Sequence, residues 1–210
     1  MYTLDQEAAK QADTRSARID ETGAYTGVIV RAVEIPANAN GTKGIELEFK
    51  SDAGQDARLP LYTHNGKGET LPAFKIINAV MTCCRIRSLT PSPATVKRWD
   101  YDAQKEIDKQ VNVFAEIAGK RCGLFIEMES SEYQGKMHRR PVLVGAYEAG
   151  TFFTAKEILD KATKPETFEK FAASLHDRKS KNKIAAPQSS GPSRAIPLDA
   201  DDPFGDSNPF

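Results

Sequence analysis

Apolar residues recur with period two early in the chain, and with a period of three to four soon after. Ile45, Leu47 and Phe49 alternate with Glu46 and Glu48, which predicts a strand with one apolar and one acidic face. Upstream, Tyr25 to Val33 is rich in β-branched residues and reads as a strand ending before Pro36 and the turn cluster Asn38-Ala-Asn-Gly41. Downstream, the turn Ser51-Asp-Ala-Gly54 leads to a third strand, Ala57 to Tyr62, in which Pro60 predicts an edge or a bulge. Past the loop from His64 to Gly68, the residues Phe74, Ile77, Val80 and Cys84 fall on one helical face. An amphipathic helix is therefore predicted over Pro72 to Arg87, with proline near its start.

The pattern is weaker over residues 89–118. Pro91-Ser-Pro93 breaks the chain, Lys97-Arg-Trp-Asp-Tyr101 is a basic-aromatic cluster, and Ile107 to Ile117 reads as a short helix ending near Gly119. Cys122 to Met128 and Arg140 to Tyr147 read as two strands joined by the polar loop Ser130 to Lys136. Thr154-Ala-Lys-Glu157 is a capping box that opens a helix over Ala155 to Ala162. A second helix starts at Lys164-Pro165, with Phe168, Phe171, Ala172 and Leu175 on one face and Arg178 to Lys183 as a basic last turn and continuation.

Four parts follow: a loose arm over 1–22, a body over 23–150, a helical appendix over 151–184 and a tail over 185–210. The body runs strand, strand, strand, helix, strand, strand, so the predicted class is mostly β: a five-stranded, OB-fold-like barrel with its helix between strands three and four. Residues 89–118 become an insertion in the connection from that helix to strand four. The tail holds five prolines among Ser, Gly and Asp and few residues able to build a core, so disorder is expected there.

Charge adds a division that the totals conceal. Lys+Arg and Asp+Glu both number 29 in 210 residues. Residues 187–210 carry Arg194 against Asp199, Asp201, Asp202 and Asp206, a balance of −3, so the rest of the chain stands at +3. A mildly basic body with an acidic end suggests traffic with nucleic acid. No apolar run approaches the ~18 residues of a membrane span, and Asp5, Glu7 and Asp13 occupy the place of a signal sequence's apolar stretch. Three cysteines, two of them adjacent (Cys83, Cys84), do not form a disulfide framework, and a reducing cytoplasm is expected. Cys83 and Cys84 read as small core residues. His64, His138 and His176 are too scattered for a zinc site, and no cofactor is expected. Neither a phosphate-binding Gly-x-x-x-x-Gly-Lys-Ser/Thr loop nor a Gly-x-Ser-x-Gly elbow occurs.

The chain ends Asp199-Ala-Asp-Asp-Pro-Phe-Gly-Asp-Ser-Asn-Pro-Phe210. This resembles the acidic tip of bacterial and bacteriophage single-stranded DNA-binding proteins, which end in a Pro/Gly/polar linker, several aspartates and a terminal Pro-Phe. Here the aspartates are more dispersed and a second Pro-Phe pair occurs at 203–204. The body is similar to phage-encoded members in its Gly41-Thr-Lys-Gly44 turn and its Gly119-Lys-Arg-Cys-Gly123 segment. The resemblance implies a non-enzymatic protein that coats single-stranded DNA. It also implies a tip (Asp199, Asp201, Asp202, Phe204, Asp206, Pro209, Phe210) that docks on replication, repair and recombination proteins. An acidic solubilising tail is the plainer alternative.

Sequence-tolerant binding needs cations for phosphates and flat side chains for bases. Trp99 and Tyr101 beside Lys97 and Arg98 form the leading set, although Trp99 also suits partial packing. Tyr62 with Arg58, and Tyr133 with Lys136, His138, Arg139 and Arg140, are further candidates. Arg31 and Lys43 join them as cations of undetermined face. Arg139-Arg140 equally fits a solvated strand edge, and Arg178 to Lys183 equally fits a helix terminus. Competing functions are a strand-annealing or recombination-mediator protein, an adaptor acting through its tail, and a metal-dependent nuclease built on Glu48-Phe-Lys50. Residues 89–118 and the appendix suit either dimerisation or an extended groove.

Overall fold

The computed structural model describes residues 17–100, 104–133 and 136–179. Eight strands form one open sheet: β1 (Gly23–Ile35), β2 (Lys43–Ser51), β3 (Asp56–His64), β4 (Pro91–Asp100), β5 (Lys105–Phe114), β6 (Arg121–Tyr133), β7 (Lys136–Tyr147) and β8 (Arg178–Lys179). The helices are α1 (Pro72–Cys83), α2 (Ala155–Leu159) and α3 (Thr167–Ser174). No helix among the described residues is long and apolar enough to cross a membrane.

Pairing is antiparallel except for β8 along β6. β3, β2 and β1 are neighbours, and the other edge of β1 is divided. Gly23 to Val28 pair with Ile126 to Arg121 of β6, while Val33 pairs with Val113 of β5. A bulge between Ile29 and Arg31 marks the division and leaves Val30 52% exposed. There the turn before β6 is stitched to β1, with Gly119 N–H donating to Ile29 O and Ile29 N–H to Lys120 O.

The alternation of β2 works as its sequence dictates. Ile45, Leu47 and Phe49 face a core shared with Ile29, Ala32, Leu59, Leu61, Leu124, Ile126 and Leu143, while Glu46 and Glu48 face outward. Ile77, Val80 and Cys83 of α1 pack into the same core. Burial lifts the Cys83 thiol to about 12.

The sheet does not close into the expected barrel. β3 and β7 approach each other but share no ladder, and α1 contacts both. The free edge of β3 is occupied at both ends. Ile19 N–H donates to Asp56 O, Asp56 N–H to Ala17 O, and Leu71 N–H to Thr63 O, while Pro60 has no N–H to give. The same bonds anchor the described end of the segment expected to be a loose arm, where Ile19 is 2% exposed.

Three turns, at 38–42, 51–55 and 65–69, share one design. The first residue's N–H donates to the fifth carbonyl, the fourth residue's N–H donates to the first carbonyl, and the first side chain accepts the fifth N–H. The fourth residue is Gly41, Gly54 or Gly68, each with φ between 73° and 83°, where a side chain would be strained.

Residues 89–118 depart most from expectation. Instead of a loop and a short helix they form the β4–β5 hairpin, paired from Pro91↔Phe114 to Asp100↔Lys105. Val111 and Val113 alternate with polar residues, and Thr95, Val96 and Ile107 are β-branched, which suits a pleated surface. The β6–β7 ladder also runs through the expected loop to Tyr133↔Lys136. The first appendix helix is shorter than predicted, and Arg178–Lys179 form a strand rather than helix. The appendix packs through aromatic rings. Phe171 stacks on Phe125 at 4.4 Å and Phe168 meets Tyr147 edge-on at 4.8 Å. Glu157, the expected capping residue, accepts the Thr154 N–H at 2.8 Å and the Thr167 N–H at 2.7 Å, joining both helices. Burial opposes its charge, but the hydrogen bonds from Thr154 and Thr167 prevail and hold its pKa at about 2.

Candidate nucleic-acid interface

Strand alternation decides which candidates meet. On the outer face of the sheet, β1 contributes Arg31, β2 contributes Glu46 and Glu48, and β3 contributes Arg58 and Tyr62. Arg31, Glu48 and Arg58 stand abreast through the register pairs Arg31↔Glu48 and Glu48↔Arg58. Glu48 Oε2 takes Arg31, accepting from Nε at 3.0 Å and from Nη2 at 2.7 Å. Arg58 is exposed and makes no ion pair among the described residues. Four pairs further along β3 and on the same face, Tyr62 stands opposite Gly44 and is 45% exposed.

The β4–β5 hairpin reaches over this face. Arg98 Nη2 donates to Glu46 Oε1 at 2.5 Å, although β4 and β2 are not neighbours in the sheet. Val33 and Val96, outside the main core, are thereby buried at 1% and 7% exposure. A second tie, Asn112 Nδ2 to Glu34 Oε2 at 2.6 Å, holds the hairpin base. Glu48 Oε1 and Arg98 Nε are buried without hydrogen-bond partners among the described residues.

The basic-aromatic cluster is therefore split. Arg98 belongs to the outer face, whereas Lys97, next to it in sequence, lies on the other side of the hairpin, in register with Asp108. Trp99 holds the register position across from Glu106. Tyr101 and the side chains of Trp99 and Tyr133 lie outside the described residues. Lys43 is exposed beside the bulge that opens β2.

The β6–β7 arm forms a second basic region, but much of its charge is committed. Arg140 pairs with Glu129 at 2.5 Å and Arg139 with Asp177 at 2.7 Å, while Lys136 is exposed with no ion pair among the described residues. The chain returns to this arm after α3. Buried Glu127 pairs with Arg178 and accepts the His176 N–H at 3.4 Å, and Thr22 Oγ1 donates to Asp177 Oδ1 at 2.6 Å. β8 then aligns Lys179 with Ser130. The tip residues Asp199 to Phe210 lie outside the described residues.

Sequence reasoning missed Lys105 and Lys109, which the β5 register puts on the same side of the hairpin as Arg98. It also missed the use of Glu46 and Glu48 as arginine partners. The alternation of Val111 and Val113 was the available clue to the first. The second depends on contacts between residues 17 positions apart for Arg31 and Glu48 and 52 apart for Arg98 and Glu46. No grouping of three or more His, Cys, Asp or Glu able to hold a metal occurs among the described residues. No family model matches the chain, and no curated protein compared with it matches.

Proposed function

We propose that this chain binds single-stranded DNA without sequence specificity through the outer face of β1, β2 and β3, and recruits replication, repair or recombination proteins through its acidic tip. One observation carries the reading: Arg58 and Tyr62 project from the same side of an edge strand, exposed and engaged by no hydrogen bond, ion pair or ring contact among the described residues. A cation for the phosphate and a ring for the base are the two elements of sequence-tolerant binding. The β4–β5 hairpin flanks this strip and adds Lys105 and Lys109.

The scaffold supports the same reading. Setting aside the β4–β5 insertion, the strand order is β3-β2-β1-β6-β7, with α1 following the third strand. That is the order of an OB-type Greek key, a barrel that tolerates partial opening. β8 places Arg178 and Lys179 alongside Glu129 and Ser130 of the β6–β7 arm. A terminal Phe ring with its α-carboxylate suits an apolar pocket lined by Arg or Lys on a partner.

The test is a salt titration of oligo(dT) and duplex binding by fluorescence anisotropy. Binding to the single strand is tighter and weakens as salt rises. Tyr62→Ala weakens it by roughly 5- to 150-fold, the equivalent of about 1–3 kcal/mol for a stacked base. Arg58→Ala lowers the salt slope by about one. Deleting 199–210 leaves DNA affinity equal or higher and abolishes partner recruitment. Equal affinity for paired and unpaired strands at modest ionic strength refutes the proposal.

A further inference from the structure

We infer that Glu46 and Glu48 are specificity-determining residues that exclude duplex DNA from the outer face; the inference rests on the proposed single-strand function. The observation is their juxtaposition. A face offered to a polyanion carries two adjacent carboxylates at its centre, and each neutralises an arginine. Glu48 holds Arg31 and Glu46 holds Arg98. These are not remote surface pairs. The four side chains retain between 14% and 28% of their exposure, and the Arg98–Glu46 contact draws the hairpin down over the strip.

The consequence follows from charge density. A duplex carries about one phosphate charge per 1.7 Å of axis, a single strand half of that, and only the duplex is obliged to present its phosphates. A duplex laid on this face brings a dense phosphate row to Glu46 and Glu48, and the paired arginines offer little in return. A single strand escapes the penalty by turning its bases inward. Tyr62 then serves for stacking, the guanidinium planes present flat surfaces, and base amino groups can donate to carboxylate oxygens. Discrimination here works by penalising the wrong ligand rather than by improving the right one.

The same row shows which cations of the strip are left uncommitted among the described residues: Arg58 on β3 and Lys50 at the end of β2. Glu48 has arginines on both sides in register, Arg31 and Arg58, and bonds only Arg31. The open cations thus lie at the margins of the strip, and its centre offers a phosphate row two carboxylates whose arginines are already paired.

The decisive experiment uses the full chain with the double substitution Glu46→Gln and Glu48→Gln, titrated against oligo(dT) and a matched duplex over a salt series. Glutamine preserves shape, and a melting temperature near that of the unaltered chain confirms the fold. Duplex affinity rises at least tenfold, single-strand affinity rises much less, and the duplex salt slope steepens by about two as Arg31 and Arg98 become available. The exposed pair Glu166→Gln and Glu169→Gln makes the same change in net charge on and beside α3 and leaves the ratio of affinities unaltered. An equal rise for both ligands, or the same effect from the α3 pair, overturns the inference. If the double variant does not fold, Glu48→Gln alone is read by the same ratio. Failure of the unaltered chain to bind oligo(dT) refutes the proposed function itself. Binding with an unchanged ratio in the variant refutes only the role of the two carboxylates.

Discussion

Phe171→Ala tests whether the helical appendix is part of the body's stability or an attachment to it. The Phe171 ring lies 4.4 Å from that of Phe125 at an interplanar angle of 25°, above Gly145, where an added Cβ would come within 2.9 Å of the ring. Phe125 is fully buried, whereas Phe171 is partly exposed. Truncation removes an aromatic pair worth about 0.5–1.5 kcal/mol. It also forfeits part of the roughly 1.5–3 kcal/mol that full burial of a Phe side chain contributes. The sum is about 2 kcal/mol. For a chain of this length that corresponds to a fall in melting temperature of about 4–8 °C, followed by circular dichroism or calorimetry. Limited proteolysis supplies a second readout, with cleavage within α3 accelerating as the helix detaches. A fall of less than about 1 °C would mean that the appendix does not lean on β6 and β7, and the reasoning would be refuted.

Three further outcomes are expected. Gly123→Ala places a Cβ 2.0 Å from the ring of Tyr147, which is 1% exposed and tied by its hydroxyl to Thr26 at 2.9 Å, so the ring cannot retreat. Destabilisation of about 3 kcal/mol is expected from the urea midpoint, and a value under about 1 kcal/mol would contradict the packing. The carboxyl of Glu157 is held down from 4.5 to about 2. The stability it contributes is present above pH 4.5 and is lost as pH falls toward 2. Acid titration of Glu157→Gln lacks that component, and identical acid profiles would count against it. Cys83, Cys84 and Cys122 are buried, and desolvation raises the Cys83 thiol to about 12. A disulfide exchange reagent at pH 8 titrates none of them before unfolding, and a rapid native-state reaction would show the α1–β6 packing to be open.

Much of the fold is legible wherever one physical demand dominates a segment. Ile45, Leu47 and Phe49 answer to a single buried face, and their alternation reads directly as β2. Ile77, Val80 and Cys84 of the expected stripe are buried, although Phe74 stays exposed and the helix ends at Cys83 rather than Arg87, and Thr154 with Glu157 writes its own cap. Residues 89–118 were opaque because two prolines interrupt β4 and the alternating valines of β5 are few. That hairpin is also stabilised by tertiary ties, Arg98 to Glu46 and Asn112 to Glu34, which local sequence does not express. The open sheet was hidden for a related reason. Whether β3 closes on β7 depends on Ile19 and Leu71 reaching its edge from elsewhere in the chain. At the candidate site, Arg58 and Tyr62 were readable as a cation and a ring on one strand. The division of Lys97 from Arg98 required the strand assignment that the prolines obscured.

The divided edge of β1 makes the hairpin a separable module. Because β6 claims the first half of that edge and β5 touches the second at Val33↔Val113, the β4–β5 hairpin lies beside the remaining ladders of the sheet rather than within them. Such a module can lengthen, shorten or change its charge while the remaining ladders keep their partners. A change in its length or charge would leave the interior packed by β1, β2, β3, β6 and β7 as it is.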